Sequence, residues 1–134
     1  MFRILIIDAN IPFRKSLSKI ISDRFPHTEI SEASTADQGL TRLKLSTPEL
    51  VFIDIYLPDR NGLDLAKTIK AAYPEIIIAI FAVYDSPEYQ AAANDSGVEY
   101  LIPKDDWTGA DILALVKTIL ADAGTSRRMN INKK

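Results

Sequence analysis

Leu50-Val51-Phe52-Ile53-Asp54 is the stretch on which the fold turns: four apolar residues in succession, closed by an acid. A continuous apolar run of this length, rich in branched and aromatic residues, marks a strand buried on both faces of a parallel sheet. The same phrase occurs near the start, where Ile4-Leu5-Ile6-Ile7 ends at Asp8, and a third run ends at Lys104. In open α/β sheets ligands bind outside the carboxyl ends of the strands. Two acids and one base are therefore expected to meet at one edge.

Working outward, short β-rich runs alternate with segments of helical period, which implies repeated βα units and a parallel sheet. Five strands are expected, at about residues 3–7, 29–32, 50–54, 76–81 and 99–102, and only the second is polar enough to suggest an edge. Caps announce the helices. Asn10 with Pro12 opens the first, Ser34 with Asp37 and Thr108 with Asp111 resemble capping boxes, and Ser86-Pro87 puts proline at a first helical position. Gly124 is expected to end the last helix, where Ile112, Leu115, Val116, Ile119 and Leu120 form one apolar stripe. Residues 1–124 then make one domain, and 125–134, with Arg127, Arg128, Lys133 and Lys134, a disordered basic tail.

At 134 residues and 47% hydrophobic content, the chain is long enough for one core and too short for two comfortable domains. A net charge of -2 gives no basic surplus for nucleic acid. The absence of cysteine excludes disulfides, thiolate catalysis and zinc–thiolate sites. Four aliphatic residues before Asp8 are too few for a signal-peptide core or a membrane span, so a cytoplasmic location is expected.

Three segments together resemble the receiver domains of two-component response regulators: Ile4-Leu5-Ile6-Ile7-Asp8, the stretch Phe52-Ile53-Asp54-Ile55-Tyr56-Leu57-Pro58-Asp59-Arg60-Asn61-Gly62, and Gly97-Val98-Glu99-Tyr100-Leu101-Ile102-Pro103-Lys104-Asp105. The resemblance covers about residues 3–122, and the pair Lys104-Asp105 together with Phe13-Arg14 is most similar to receivers that precede a helix-turn-helix output domain. It implies a flavodoxin-like doubly wound sheet of five parallel strands in the order 2-1-3-4-5. It also implies that Asp54 is the phosphoacceptor and that Lys104 pairs with it at rest, then with a phosphoryl oxygen. Mg²⁺ would be held by Asp8, Asp54 and the backbone carbonyl of Tyr56. The chemistry is coherent, because phosphoryl transfer to a carboxylate depends on positioning and charge neutralisation. The implied partners are a sensor histidine kinase or phosphotransfer protein, and a downstream protein or second copy on the face of the fourth helix, fifth strand and fifth helix.

Three positions depart from that pattern. Ala9 stands where a second acid usually contacts the metal, so Mg²⁺ affinity should fall, with the Asn10 amide oxygen a weaker substitute. Ala82 replaces the usual Ser or Thr, and Leu101 the aromatic that rotates on activation, with Tyr100 on the opposite face. Two readings follow: a receiver that accepts phosphate on Asp54 and signals by an altered surface, or a degenerate receiver that binds partners regardless of phosphate.

Other classes fit less well. Asp-nucleophile phosphatases carry a second acid two residues after the nucleophile, and Tyr56 stands there. No glycine-rich loop follows the first strand for a nucleotide. His27 reads as a solvated loop residue. Tyr89, Tyr100 and Trp107 mark either a partner patch or, for Trp107, a staple on the last helix. An output domain needs about 50 further residues, so if the chain is complete its expected output is protein binding.

Overall fold

The computed structural model describes residues 1–82 and 87–132, and for residues 88, 89 and 123–132 the backbone alone. Five parallel strands, β1 (Arg3–Ile7), β2 (Glu29–Ala33), β3 (Leu50–Asp54), β4 (Ile77–Ala82) and β5 (Tyr100–Pro103), lie in the order β2-β1-β3-β4-β5. They alternate with helices α1 (Ile11–Arg24), α2 (Ala36–Leu45), α3 (Gly62–Ala72), α4 (Pro87–Ser96) and α5 (Gly109–Asn132). This is the doubly wound sheet and the strand order that the resemblance implies. β2 is an edge as its polarity suggests, and the half-buried β5 forms the other.

Alternation along the strands builds two cores. Leu5, Ile7, Val51, Ile53, Ile78 and Ile80 pack under α2, α3 and α4. Ile4, Ile6, Leu50, Phe52, Ala79 and Phe81 pack under α1 and α5, against Leu17, Ile21, Ile112, Val116 and Ile119. Every residue of β3 is buried, because strands flank it on both sides and helices cover both faces. At about 1.5–3 kcal/mol per fully buried aliphatic side chain, these two layers dominate the folding energy.

The helix starts agree with the sequence at α1, α4 and α5 and differ at α2, and the end of α5 differs as well. Asn10 accepts from the Phe13 N–H, and Thr108 and Asp111 cap each other reciprocally. Pro87 opens α4, while Ser86 lies outside the described residues. At α2 the cap is Thr35, which accepts from the Gln38 N–H, instead of Ser34 with Asp37. The reason is tertiary: the Asp59 carboxylate, from the loop after β3, accepts from the N–H groups of Ala36 and Asp37 and moves the helix start forward by one residue. α5 runs through Gly124 to Asn132. Gly97 has the only positive φ among the described residues, and a glycine without the left-handed geometry weakens a helix by about 1 kcal/mol without ending it. Residues 125–132 are thus helical where a disordered tail is expected, and residues 133–134 lie outside the described ones.

Candidate functional site

Strand register brings the site together. Ile7 lies beside Ile53 and Asp54 beside Phe81, so Asp8 and Asp54 leave the sheet on neighbouring strands. The Asp8 N–H donates to the Ala33 carbonyl at 3.0 Å, and the Lys104 N–H to that of Ala82 at 2.8 Å, which extends the ladder past the strand ends. Asp8 is 1% and Asp54 7% exposed.

The structure places Lys104 between the two acids. Its ammonium donates to Asp8 Oδ2 at 2.9 Å and lies 3.4 Å from Asp54 Oδ2. At rest the ammonium thus pairs with both acids, with Asp54 as the resemblance implies and more closely with Asp8. Two features explain the bias. Asp8 Oδ1 is already occupied, accepting from the Asn10 N–H at 2.8 Å, which aims Oδ2 at the lysine. The Phe13 ring, with its centroid 4.4 Å from the ammonium, also holds it in place.

Asp54 is left short of one partner inside the fold. Its Oδ1 is buried with no hydrogen-bond partner. Burial, and then the negative charge of Asp8, push its carboxyl above the usual aspartate range, against the pull of Lys104 and the Tyr56 N–H. One ammonium between two carboxylates leaves the ionised cluster with a surplus negative charge, and unpaired buried charge is costly. Such a carboxylate is disposed to gain a proton, a cation or a new bond.

Local packing fixes both acids. Arg14, nearly buried, donates to the Asp8 carbonyl at 2.7 Å, to Ser34 Oγ at 3.0 Å and to Glu32 Oε1 at 2.8 Å, tying β1 to β2 behind the site. Gly62 lies against the end of β3: its N–H donates to the Ile55 carbonyl, and a Cβ there would stand 2.7 Å from Ile55 Cα and clash with the Asp54 carbonyl. Only glycine permits that approach.

Ala9 lies just after β1, Ala82 ends β4 and Leu101 is the second residue of β5. Ala9 is exposed and supplies no ligand. Asn10 is no free substitute, since its Oδ1 serves as the N-cap of α1. Ala82 is buried without a hydroxyl, and Leu101 packs toward α2, α3 and α4 while Tyr100 packs toward α1 and α5. Tyr56 is half exposed and bridges to Asn61 at the mouth of the loop after β3. Among the described residues no group of three or more His, Cys, Asp or Glu is placed to hold a metal.

The aromatic patch on the β5–α5 side is largely internal. Trp107 meets Phe13 edge-on at 5.6 Å and Phe81 at 5.9 Å, and Tyr100 is half-buried in the same core. The side chain of Tyr89 lies outside the described residues. His27 is exposed in the turn before β2. Sequence reasoning missed the through-space cap by Asp59 and the stacking of Lys104 on Phe13. Neither carries a local signal, since each joins segments far apart in the chain.

Residues 4–119 match the family model described as the response regulator receiver domain. Transcriptional regulatory protein HptR of Staphylococcus aureus is 30% identical over 132 residues, 96% of this chain and 52% of that protein. Transcriptional regulatory protein MctR of Rhizobium johnstonii is 29% identical over 124 residues, 92% of this chain and 56% of that protein. The chain spans about half the length of the curated relatives it matches. Among solved structures, a CheY-like response regulator receiver domain protein from Methanospirillum hungatei superposes with a TM-score of 0.84 at 26% identity, covering 94% of this chain and 98% of that one. The receiver domain of NtrX from Brucella abortus gives 0.79 at 27% identity, over 88% and 98%.

Proposed function

This chain belongs to the receiver-domain family of two-component response regulators, and from that premise we propose that Asp54 accepts a phosphoryl group. The carrying observation is the buried, unpartnered Oδ1 of Asp54 beside an ammonium that already leans toward another acid. Asp54 attacks the phosphorus of a phosphohistidine or small phosphodonor, the P–N or P–O bond to the donor breaks, and an acyl phosphate forms. Lys104 then pairs with a phosphoryl oxygen, which a point-charge ammonium on a flexible stem reaches readily. Arg14 and Gly62 hold the strand ends at the spacing this requires.

The donor set fits a magnesium ion, which the orphaned carboxylate oxygen of Asp54, the neighbouring acid Asp8 and the Tyr56 carbonyl would hold together with water. Such an ion supplies neutralisation of phosphoryl charge. Ala9 leaves the site one carboxylate short of the usual receiver pattern, and Lys104 already occupies Asp8 Oδ2, so binding is weak. The partners are a sensor histidine kinase or phosphotransfer protein upstream and a protein downstream, met on the face of α4, β5 and α5. A location in the cytoplasm accords with that role; among the described residues no helix is long and apolar enough to cross a membrane.

One observation favours a second reading, phosphate-independent partner binding: both Asp8 oxygens are engaged internally, and Ala82 and Leu101 offer neither hydroxyl nor switching aromatic. Incubation with acetyl phosphate and Mg²⁺, followed by peptide mapping, separates the two. An adduct on Asp54 supports the acceptor reading, and its absence at saturating donor supports the second.

A further inference from the structure

We propose that Phe13 is a positioning residue for Lys104 and that its ring transmits the position of this ammonium to Trp107. The ammonium has three attractors: the Asp8 carboxylate at 2.9 Å, the Asp54 carboxylate at 3.4 Å and the face of the Phe13 ring at 4.4 Å. A ring face attracts a cation through its quadrupole, and the attraction strengthens where water is excluded, as it is beside a lysine side chain only 15% exposed. Phe13 belongs to α1, so the contact ties the end of β5 to a different element.

The ring does not end the chain of contacts. Phe13 meets Phe81 edge-on at 5.1 Å and Trp107 edge-on at 5.6 Å, with interplanar angles of 84° and 87°. Trp107 lies directly before the cap of α5, and it touches Phe81 as well. Edge-to-face packing of this kind leaves each ring little freedom to turn alone. A shift of the ammonium toward Asp54 therefore loosens Phe13, and the change reaches the entry to α5.

This route lies on the α1–α5 side of the sheet. The other side holds Ala82 and Leu101, which carry no polar or aromatic group to sense the pocket. A state is communicated only through contacts that differ between states, and Lys104 is the side chain placed to supply such a difference. The linkage deepens the acceptor reading but exists whether or not phosphate is accepted.

Trp107 is the only tryptophan, so its emission reads the linkage directly. The test is a double-mutant cycle in which Asp8→Asn, or Asp54→Asn if the first variant fails to fold, alters the pull on the ammonium in wild-type, Phe13→Leu and Phe13→Tyr backgrounds. Amide NMR spectra confirm the fold of each. The expected result is a change of Trp107 emission on removing the acid in the wild-type and Phe13→Tyr backgrounds, reduced severalfold or lost with Phe13→Leu. The same change in all three backgrounds, or none in the wild-type background, overturns the proposal. Intact mass after acetyl phosphate, taken on the same wild-type sample, reports separately on the acceptor role of Asp54.

Discussion

The ammonium of Lys104 donates to Asp8 Oδ2 at 2.9 Å, joining the first strand end to the fifth across 96 residues of sequence. The contact makes the acidic pocket a structural element as well as a candidate reaction site, because it neutralises a carboxylate that is almost wholly buried.

Replacing Lys104 by Met leaves two buried carboxylates with no cation. Breaking one side of a buried pair typically costs about 3–5 kcal/mol. Chemical denaturation of Lys104→Met at neutral pH should show a loss toward the lower end of that range, since the lysine retains some solvent contact, and acidification should restore part of it.

Asp54→Asn should act in the opposite direction. Burial and the Asp8 charge raise the folded-state pKa of Asp54, so between its ordinary and raised values the folded protein binds the proton more tightly than the unfolded chain. Stability from this group therefore falls as pH rises through that window. Removing the ionisable group should raise the neutral-pH unfolding free energy by an amount on the order of 1 kcal/mol for a relieved buried acceptor, raise the melting temperature with it, and flatten the profile in weak acid. Thermal melts across that pH range check both features.

Gly62→Ala inserts a methyl group against the Asp54 and Ile55 backbone. The clash is with main chain, which cannot turn aside, so a loss of about 1–3 kcal/mol is expected together with slower phosphorylation. Denaturant midpoints and adduct formation, measured on the same preparation, should fall together.

Asp59→Ala removes the acceptor for the Ala36 and Asp37 N–H groups. Those bonds hold the Asp59 carboxyl below the usual range, so their contribution is present at neutral pH and is lost as pH falls through the lowered folded-state value. Hydrogen exchange at Ala36 and Asp37 should quicken severalfold in the variant at neutral pH, with α3 amides unchanged.

What the sequence makes legible is periodic or local. The apolar runs ending at Asp8 and Asp54 identify the central strands because burial on both faces leaves no polar position in them. Asn10, Thr108 and Asp111 declare their helices because a cap acts within one turn. Asp59 and Phe13 act across loops, so nothing near them in sequence records it, and the start of α2 moved for that reason. Gly124 misleads because glycine ends a helix only when the backbone turns left-handed there. At the site, residue types and strand ends are readable, while the closer approach of Lys104 to Asp8 joins segments 96 residues apart and so leaves no local record.

The most direct test of Asp54 as acceptor is the intact mass of wild type, Asp54→Ala and Ala9→Asp after incubation with acetyl phosphate and Mg²⁺. A slow, single phosphoryl adduct is expected on wild type, none on Asp54→Ala and a faster one on Ala9→Asp, which adds a carboxylate beside the proposed magnesium ligands. No adduct on wild type at saturating donor and metal, or an adduct that persists in Asp54→Ala, would contradict it.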